Sequence, residues 1–185
     1  EVMPGVKVMF EPNTRAEIGS TTGALTAIGK ADSLIVFTAE DSLNGWQGIV
    51  FYTSNVLNQL DYVDVSYGGN AGFGFGVSAA NVGVENGDVV SITNSIISNS
   101  FEYGVFIENG GSISELSNTQ FIDNNDHPFR LPIDQVPNID ELSTFTGNGN
   151  NSVQISASAL SEDDEVTVGT LADAVPYFVS GRLDI

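Results

Sequence analysis

The sequence predicts an all-β solenoid, in which short strands wind into coils that stack in parallel. Three observations lead there. First, the segment 89–106 (VVSITNSIISNSFEYGVF) recurs at 113–130 (ISELSNTQFIDNNDHPFR) with a shift of 24 residues. Under that shift Asn94 falls on Asn118, Ser95 on Thr119, Ile97 on Phe121, Ser100 on Asn124, Tyr103 on His127 and Val105 on Phe129. A unit of about 20–30 residues cannot bury its own apolar face, so such repeats stack on one another. Second, apolar runs of strand length recur along the whole chain. Third, the breaks between them are mostly Asn-Ser, Asn-Asn or Asp-Asn at recurring places, which suit stacked coils and not a sandwich of hairpins.

Taken in order, the strand-like runs lie at 6–10, 25–28, 34–38, 48–52, 60–67, 89–92, 96–98, 105–107, 120–122 and 153–155. They are rich in Val, Ile and Phe and bounded by Gly, Asn, Asp or Ser. Only 137–142 and 170–174 suggest a turn of helix. Asn109-Gly110-Gly111 is the best hairpin candidate. Asn94 with Asn118, and Asn99 or Ser100 with Asp123, Asn124 and Asn125, are candidate rungs of a side-chain ladder. Ile92, Leu116, Ile97 and Phe121 are expected to point inward, each filling one level of a narrow core.

Composition narrows the function. With 185 residues and 41% hydrophobic content, the chain is long and apolar enough for a folded domain. Five Lys and Arg against 24 Asp and Glu leave a net charge of −19, which repels nucleic acid and other polyanions. No apolar run of about 18 residues is present, so no transmembrane segment is expected. Cysteine is absent, so stability must come from burial and hydrogen bonds. The opening Glu1-Val2-Met3-Pro4-Gly5 reads as the inside of a domain, with any export signal expected upstream or already removed.

The order of motifs resembles the exported bacterial right-handed parallel β-helix repeat proteins of the pectate-lyase-like fold. The segments that carry the resemblance are Met3-Pro4-Gly5-Val6, Gly23-Ala24-Leu25-Thr26-Ala27-Ile28-Gly29, Ile35-Val36-Phe37-Thr38 and Gly45-Trp46-Gln47-Gly48-Ile49-Val50-Phe51. Asn58-Gln59-Leu60-Asp61-Tyr62-Val63, Tyr67-Gly68-Gly69, Asn118-Thr119-Gln120-Phe121 and Asn124-Asn125 continue it. The resemblance implies a single-stranded right-handed parallel β-helix over residues 1–156. Residues 157–185 are then a C-terminal extension, either a cap or the start of a following module. The segment 175–185 resembles the stretch that precedes the Pro-Gly-Val opening in that family, which suggests one period of a tandem array. It also suggests end-to-end self-association.

Because that family hosts unrelated activities, function has to come from particular residues. The resemblance to eliminating lyases would make Arg130 a base or substrate clamp. The Gly-His-Gly and Arg-Ile-Lys segments of the polygalacturonase-like hydrolases are absent. His127 would need Asp126 or Asp123 beside it to act as a base. Otherwise it occupies the place of Tyr103 one coil later. Structural calcium would take carboxylates, with Asp123, Asp126, Asp163 and Asp164 as candidate ligands. Trp46, Tyr62, Tyr67, Phe73, Phe75 and Tyr103 are either core residues or a sugar-stacking strip, and Gly72–Gly76 is expected to protrude as a loop. The leading expectation is a non-catalytic module of an exported or cell-surface bacterial protein with a structural, adhesive or display role. The alternative is a carbohydrate-active module that binds or cleaves a polysaccharide along one groove.

Overall fold

The computed structural model describes residues 1–19, 23–74, 76–160 and 165–184, without the side chains of 157–159. The chain visits three parallel sheets in rotation. The first coil runs through β1 (Lys7–Phe10), β2 (Arg15–Ile18) and β3 (Thr26–Ile28). The second uses β4 (Ile35–Ala39), β5 (Gly48–Phe51) and β6 (Gln59–Asp61), and the third β7 (Val63–Ser66), β8 (Ala80–Val84) and β9 (Val89–Thr93). The fourth comprises β10 (Ile96–Ser98), β11 (Tyr103–Ile107) and β12 (Ser112–Ser117). The fifth has β13 (Gln120–Ile122) and β14 (Phe129–Leu131), then a 3₁₀ turn over Ile133–Asn138 where a third strand would lie. Then come β15 (Thr144–Thr146), β16 (Val153–Ala159), a short 3₁₀ turn at Ala172–Ala174 and β17 (Tyr177–Asp184).

Sheet 1 orders as β1-β4-β7-β10-β13-β15, sheet 2 as β2-β5-β8-β11-β14-β16-β17, and sheet 3 as β3-β6-β9-β12. Every pairing between these strands is parallel, and each strand pairs with its counterpart one coil away. This is the all-β stacked-coil architecture that the sequence predicts.

The 24-residue repeat is the spacing of neighbouring coils. Ile97 pairs with Phe121, and Phe121 with Phe145. Ile92 pairs with Leu116. All four residues expected to face inward are fully buried. Aliphatic and aromatic columns therefore run along the axis. Phe121 and Phe145 stack 5.3 Å apart, and Phe129 meets Phe121 edge-on at 5.7 Å. Each fully buried aliphatic or aromatic side chain contributes about 1.5–3 kcal/mol. Trp46 belongs to this core: it is fully buried, stacks on Phe10 at 3.9 Å and donates its indole N–H to the Ser66 carbonyl at 2.9 Å.

Corners between sheets need a backbone that turns sharply, and several residues supply it in the left-handed region. Asn94 (φ 50°) and Asn118 (φ 48°) turn the chain into sheet 1; Asn99 (φ 53°), Asp123 (φ 54°) and Gly147 (φ 73°) turn it out. Asn and Asp tolerate this region better than other side chains. Asn118 also donates to the Asn94 side chain at 2.7 Å, and Asn94 to Asp61 at 2.8 Å, forming the expected ladder. A second ladder is buried. Asn124 donates to the Asn148 side-chain oxygen at 2.9 Å and the Ile97 carbonyl at 3.1 Å, while Asn148 donates to the Phe121 carbonyl at 3.1 Å.

Two expectations are corrected here. The run 60–67 is not one strand. It breaks at Tyr62 (φ 52°) into β6 and β7, which belong to different sheets. Asn109-Gly110-Gly111 is not a hairpin turn: Gly110 (φ 89°) turns the chain from β11 into β12, in different parallel sheets. The C-terminal segment forms β17 and pairs with β16 in sheet 2, Val153 opposite Tyr177. Residues on both sides of position 156 therefore share one sheet.

Candidate functional site

Between β7 and β8 the chain leaves the sheets over residues 67–79. Val65 and Ile97 pair across 32 residues, against 24 for the next coil. The extra length folds over the outer face of sheet 2 and does not protrude. Phe73, expected to stand out of a loop, is only 3% exposed and packs with Val77, Val50, Ala80 and Phe106 in a small apolar cluster outside the main core. Two side chains hold the loop down through the Phe73 carbonyl: Arg15 Nη1 donates to it at 3.1 Å and the Tyr52 hydroxyl at 3.3 Å. Gly83 makes room beneath. A Cβ there would lie 2.7 Å from Val77 Cγ1 and 2.8 Å from the Phe73 ring.

Beside this loop lies a cleft of about 530 Å³. Gly72, Gly76, Val77, Ser78 and Ala79 line it from the loop, and Glu102, Tyr103 and Asp126 from the following coils. Tyr103 is held by the edge of Phe106 at 5.2 Å and by the His127 ring stacked at 6.2 Å. Burial raises the Tyr103 hydroxyl above its usual pKa, and Asp126 adds to the shift. Asp126 Oδ1 accepts a hydrogen bond from Asn150 Nδ2 at 2.6 Å. Glu102, Asp126 and Asn150 stand 24 residues apart, so the repeat itself lines up the rim.

The residues singled out from sequence fall into separate places. His127 is 6% exposed. Its Nδ1 lies 2.9 Å from the Ser152 carbonyl and 3.0 Å from the Ser152 hydroxyl, so Ser152 engages that side of the ring. Its Nε2 stands 3.9 Å from Asp126 Oδ1, too far for a hydrogen bond. Arg130 packs its guanidinium 4.1 Å over the Phe106 ring and donates to the Ile107 carbonyl at 2.9 Å. Burial lowers its pKa, opposed by Tyr103 and Glu108. Arg130, which the resemblance would make a base or substrate clamp, is thus engaged by aromatic packing and a backbone acceptor. Tyr67 and Asp123 line a different, smaller depression of about 200 Å³. Tyr67 is half-buried with φ 60°, its ring packed partly on the core.

Among the described residues no group of three His, Cys, Asp or Glu side chains converges to hold a metal ion. Asp123 and Asp126 line separate depressions. Phe75, Asp163 and Asp164 lie outside the described residues. The sequence reading singled out the loop at Gly72 but missed Glu102 and Ser78. The shift that pairs Tyr103 with His127 also pairs Glu102 with Asp126, so that signal was present. Among the described residues no helix is long and apolar enough to cross a membrane. No protein family, no curated protein and no solved structure matches this chain.

Proposed function

We propose that the chain is a right-handed parallel β-helix module of an exported or cell-surface bacterial protein, and that its role is non-catalytic: to give length and to display or adhere. Handedness follows from the rule that a strand, crossover and parallel strand in one sheet wind to the right in about 98% of cases. The resemblance of the motif order to the pectate-lyase-like proteins and the net charge of −19 support an exported scaffold. The observation that carries the non-catalytic reading is the engagement of Arg130 by Phe106 and the Ile107 carbonyl. Eliminating lyases of acidic polysaccharides need such a guanidinium or amine free beside the substrate. Incubation with polygalacturonate or alginate, with and without calcium, is expected to release no unsaturated uronate. A reproducible rise in its absorbance that Arg130→Ala abolishes would overturn the reading.

A second reading, a module that binds carbohydrate, is favoured by the cleft beside Tyr103. The exposed apolar side chains support a further part of the proposal, end-to-end self-association. Met3, Val6 and Met9 are exposed in the first coil, Leu43, Val56 and Leu57 in the second, and Leu142, Val168, Phe178 and Val179 toward the other end.

A further inference from the structure

Three rings stack beside sheet 2, and the stack stops at the cleft. Phe178 stacks on His127 with centroids 5.5 Å apart, and His127 stacks on Tyr103 at 6.2 Å. In the coil below, the strand partner of Tyr103 is Ala80, preceded by Ala79. Neither carries a ring. At that level the cleft opens instead, walled by the glycine loop and rimmed by Glu102 and Asp126.

The lining specifies an occupant. A tyrosine ring held on its other contacts offers a flat apolar surface, the kind against which the C–H face of a sugar packs. Two carboxylates and the Ser78 hydroxyl can accept hydrogen bonds from its edges. No cation lines the cleft among the described residues, and the whole surface is acidic, so a uronate would be rejected. An ammonium would instead form charge-assisted hydrogen bonds with the rim. The volume lies within the roughly 300–1,000 Å³ typical of small-ligand sites. We propose that this cleft binds a pyranose carrying a protonated amine, an amino-sugar unit of an oligosaccharide. The inference rests on the carbohydrate-binding reading and names its ligand class.

The test is calorimetric titration of the whole chain near pH 6.5 with three probes: a glucosamine tetramer, its N-acetylated form and a galacturonate trimer. The amine form is expected to saturate one site, the N-acetylated form to bind at least about tenfold more weakly, and the galacturonate not at all. Gly72→Phe should abolish binding by filling the cleft. Gly72 has an ordinary φ, and a Cβ there meets nothing closer than 3.6 Å, so the fold should tolerate it. Its melting temperature would be checked alongside. Glu102→Gln, on an exposed residue, should weaken the amine form several-fold and leave the N-acetylated form little changed. Equal binding of the amine form by wild type and a folded Gly72→Phe would mean diffuse attraction to the acidic surface and overturn the proposal. Tighter binding of the N-acetylated form would overturn the amine assignment while leaving carbohydrate binding in place. Binding of no sugar would overturn both.

Discussion

Individual side chains carry the coil stack through two kinds of column, one apolar and one of asparagines. Ile97 is fully buried between Val65 and Phe121. Ile97→Ala is expected to cost about 2–5 kcal/mol in chemical denaturation, since a cavity in a narrow core cannot collapse. A loss under about 0.5 kcal/mol would contradict its placement. Asp88 is a buried residue working against the fold. Burial, then the nearby Glu85 carboxylate, raises its pKa to about 6. An unfolded aspartate titrates near 3.9. Between those values the folded chain binds the proton more tightly, so stability should rise as pH falls from about 6 to about 4. Asp88→Asn should raise the melting temperature at pH 7 and flatten that rise. An Asp88→Asn variant that is less stable than wild type at pH 7 would show that the carboxylate makes a favourable contact.

The strands are the most legible elements, and the corners the least. Short apolar runs mark β1, β9 and β10, because each must put one face into the core. The short strands β2 (RAEI) and β14 (FRL) carry charged residues between their apolar ones, too brief a pattern to announce a strand, and neighbouring strands impose their pairing. The corner at Tyr62 is hidden for a different reason. A tyrosine in the left-handed region is uncommon, so nothing local marks the break between β6 and β7. The loop over sheet 2 depends on Gly83, whose missing side chain lets Phe73 and Val77 approach. Gly83→Ala should cost about 1–3 kcal/mol as overpacking, or lift the loop from the sheet. Denaturation together with limited proteolysis between residues 72 and 79 would read either outcome. An unchanged midpoint and cleavage pattern would show that the loop is not packed there.

On the scale of the whole molecule, large exposed apolar side chains fall in the first two coils and after residue 141. Among the described residues, the large hydrophobic side chains left exposed lie between positions 3 and 57 or between 142 and 179. The middle coils present polar or half-covered side chains. β17 covers part of one end: Val175 is 7% exposed, and Tyr177 and Leu183 pack on the core, while Phe178 is 50% exposed. Deleting residues 175–185 would bare the edge of β16 and that apolar surface. We expect the deletion to lower the melting temperature by about 5 °C or more, or to cause aggregation seen by sedimentation. A clean monomer with an unchanged melting temperature would show β17 to be a passive strand.

The sequence by itself determined the class and phase of the stack. A 24-residue shift, read from Asn94, Ile97 and Tyr103 onto Asn118, Phe121 and His127, is a local property of the chain, since every coil repeats the contacts of the one before. It placed the inward column, the exposed Asn ladder and the stacked Tyr103 and His127 without any knowledge of the other coils. Only the tertiary structure decided what the irregular parts do. Arg130 lies across Phe106 because the register sets neighbouring strands side by side. Phe73 turns inward because Gly83, ten residues on, leaves a space that only folding brings beneath it. The cleft exists because an insertion in one coil meets a corner in the next, and a meeting of segments so separated leaves no local pattern in the chain.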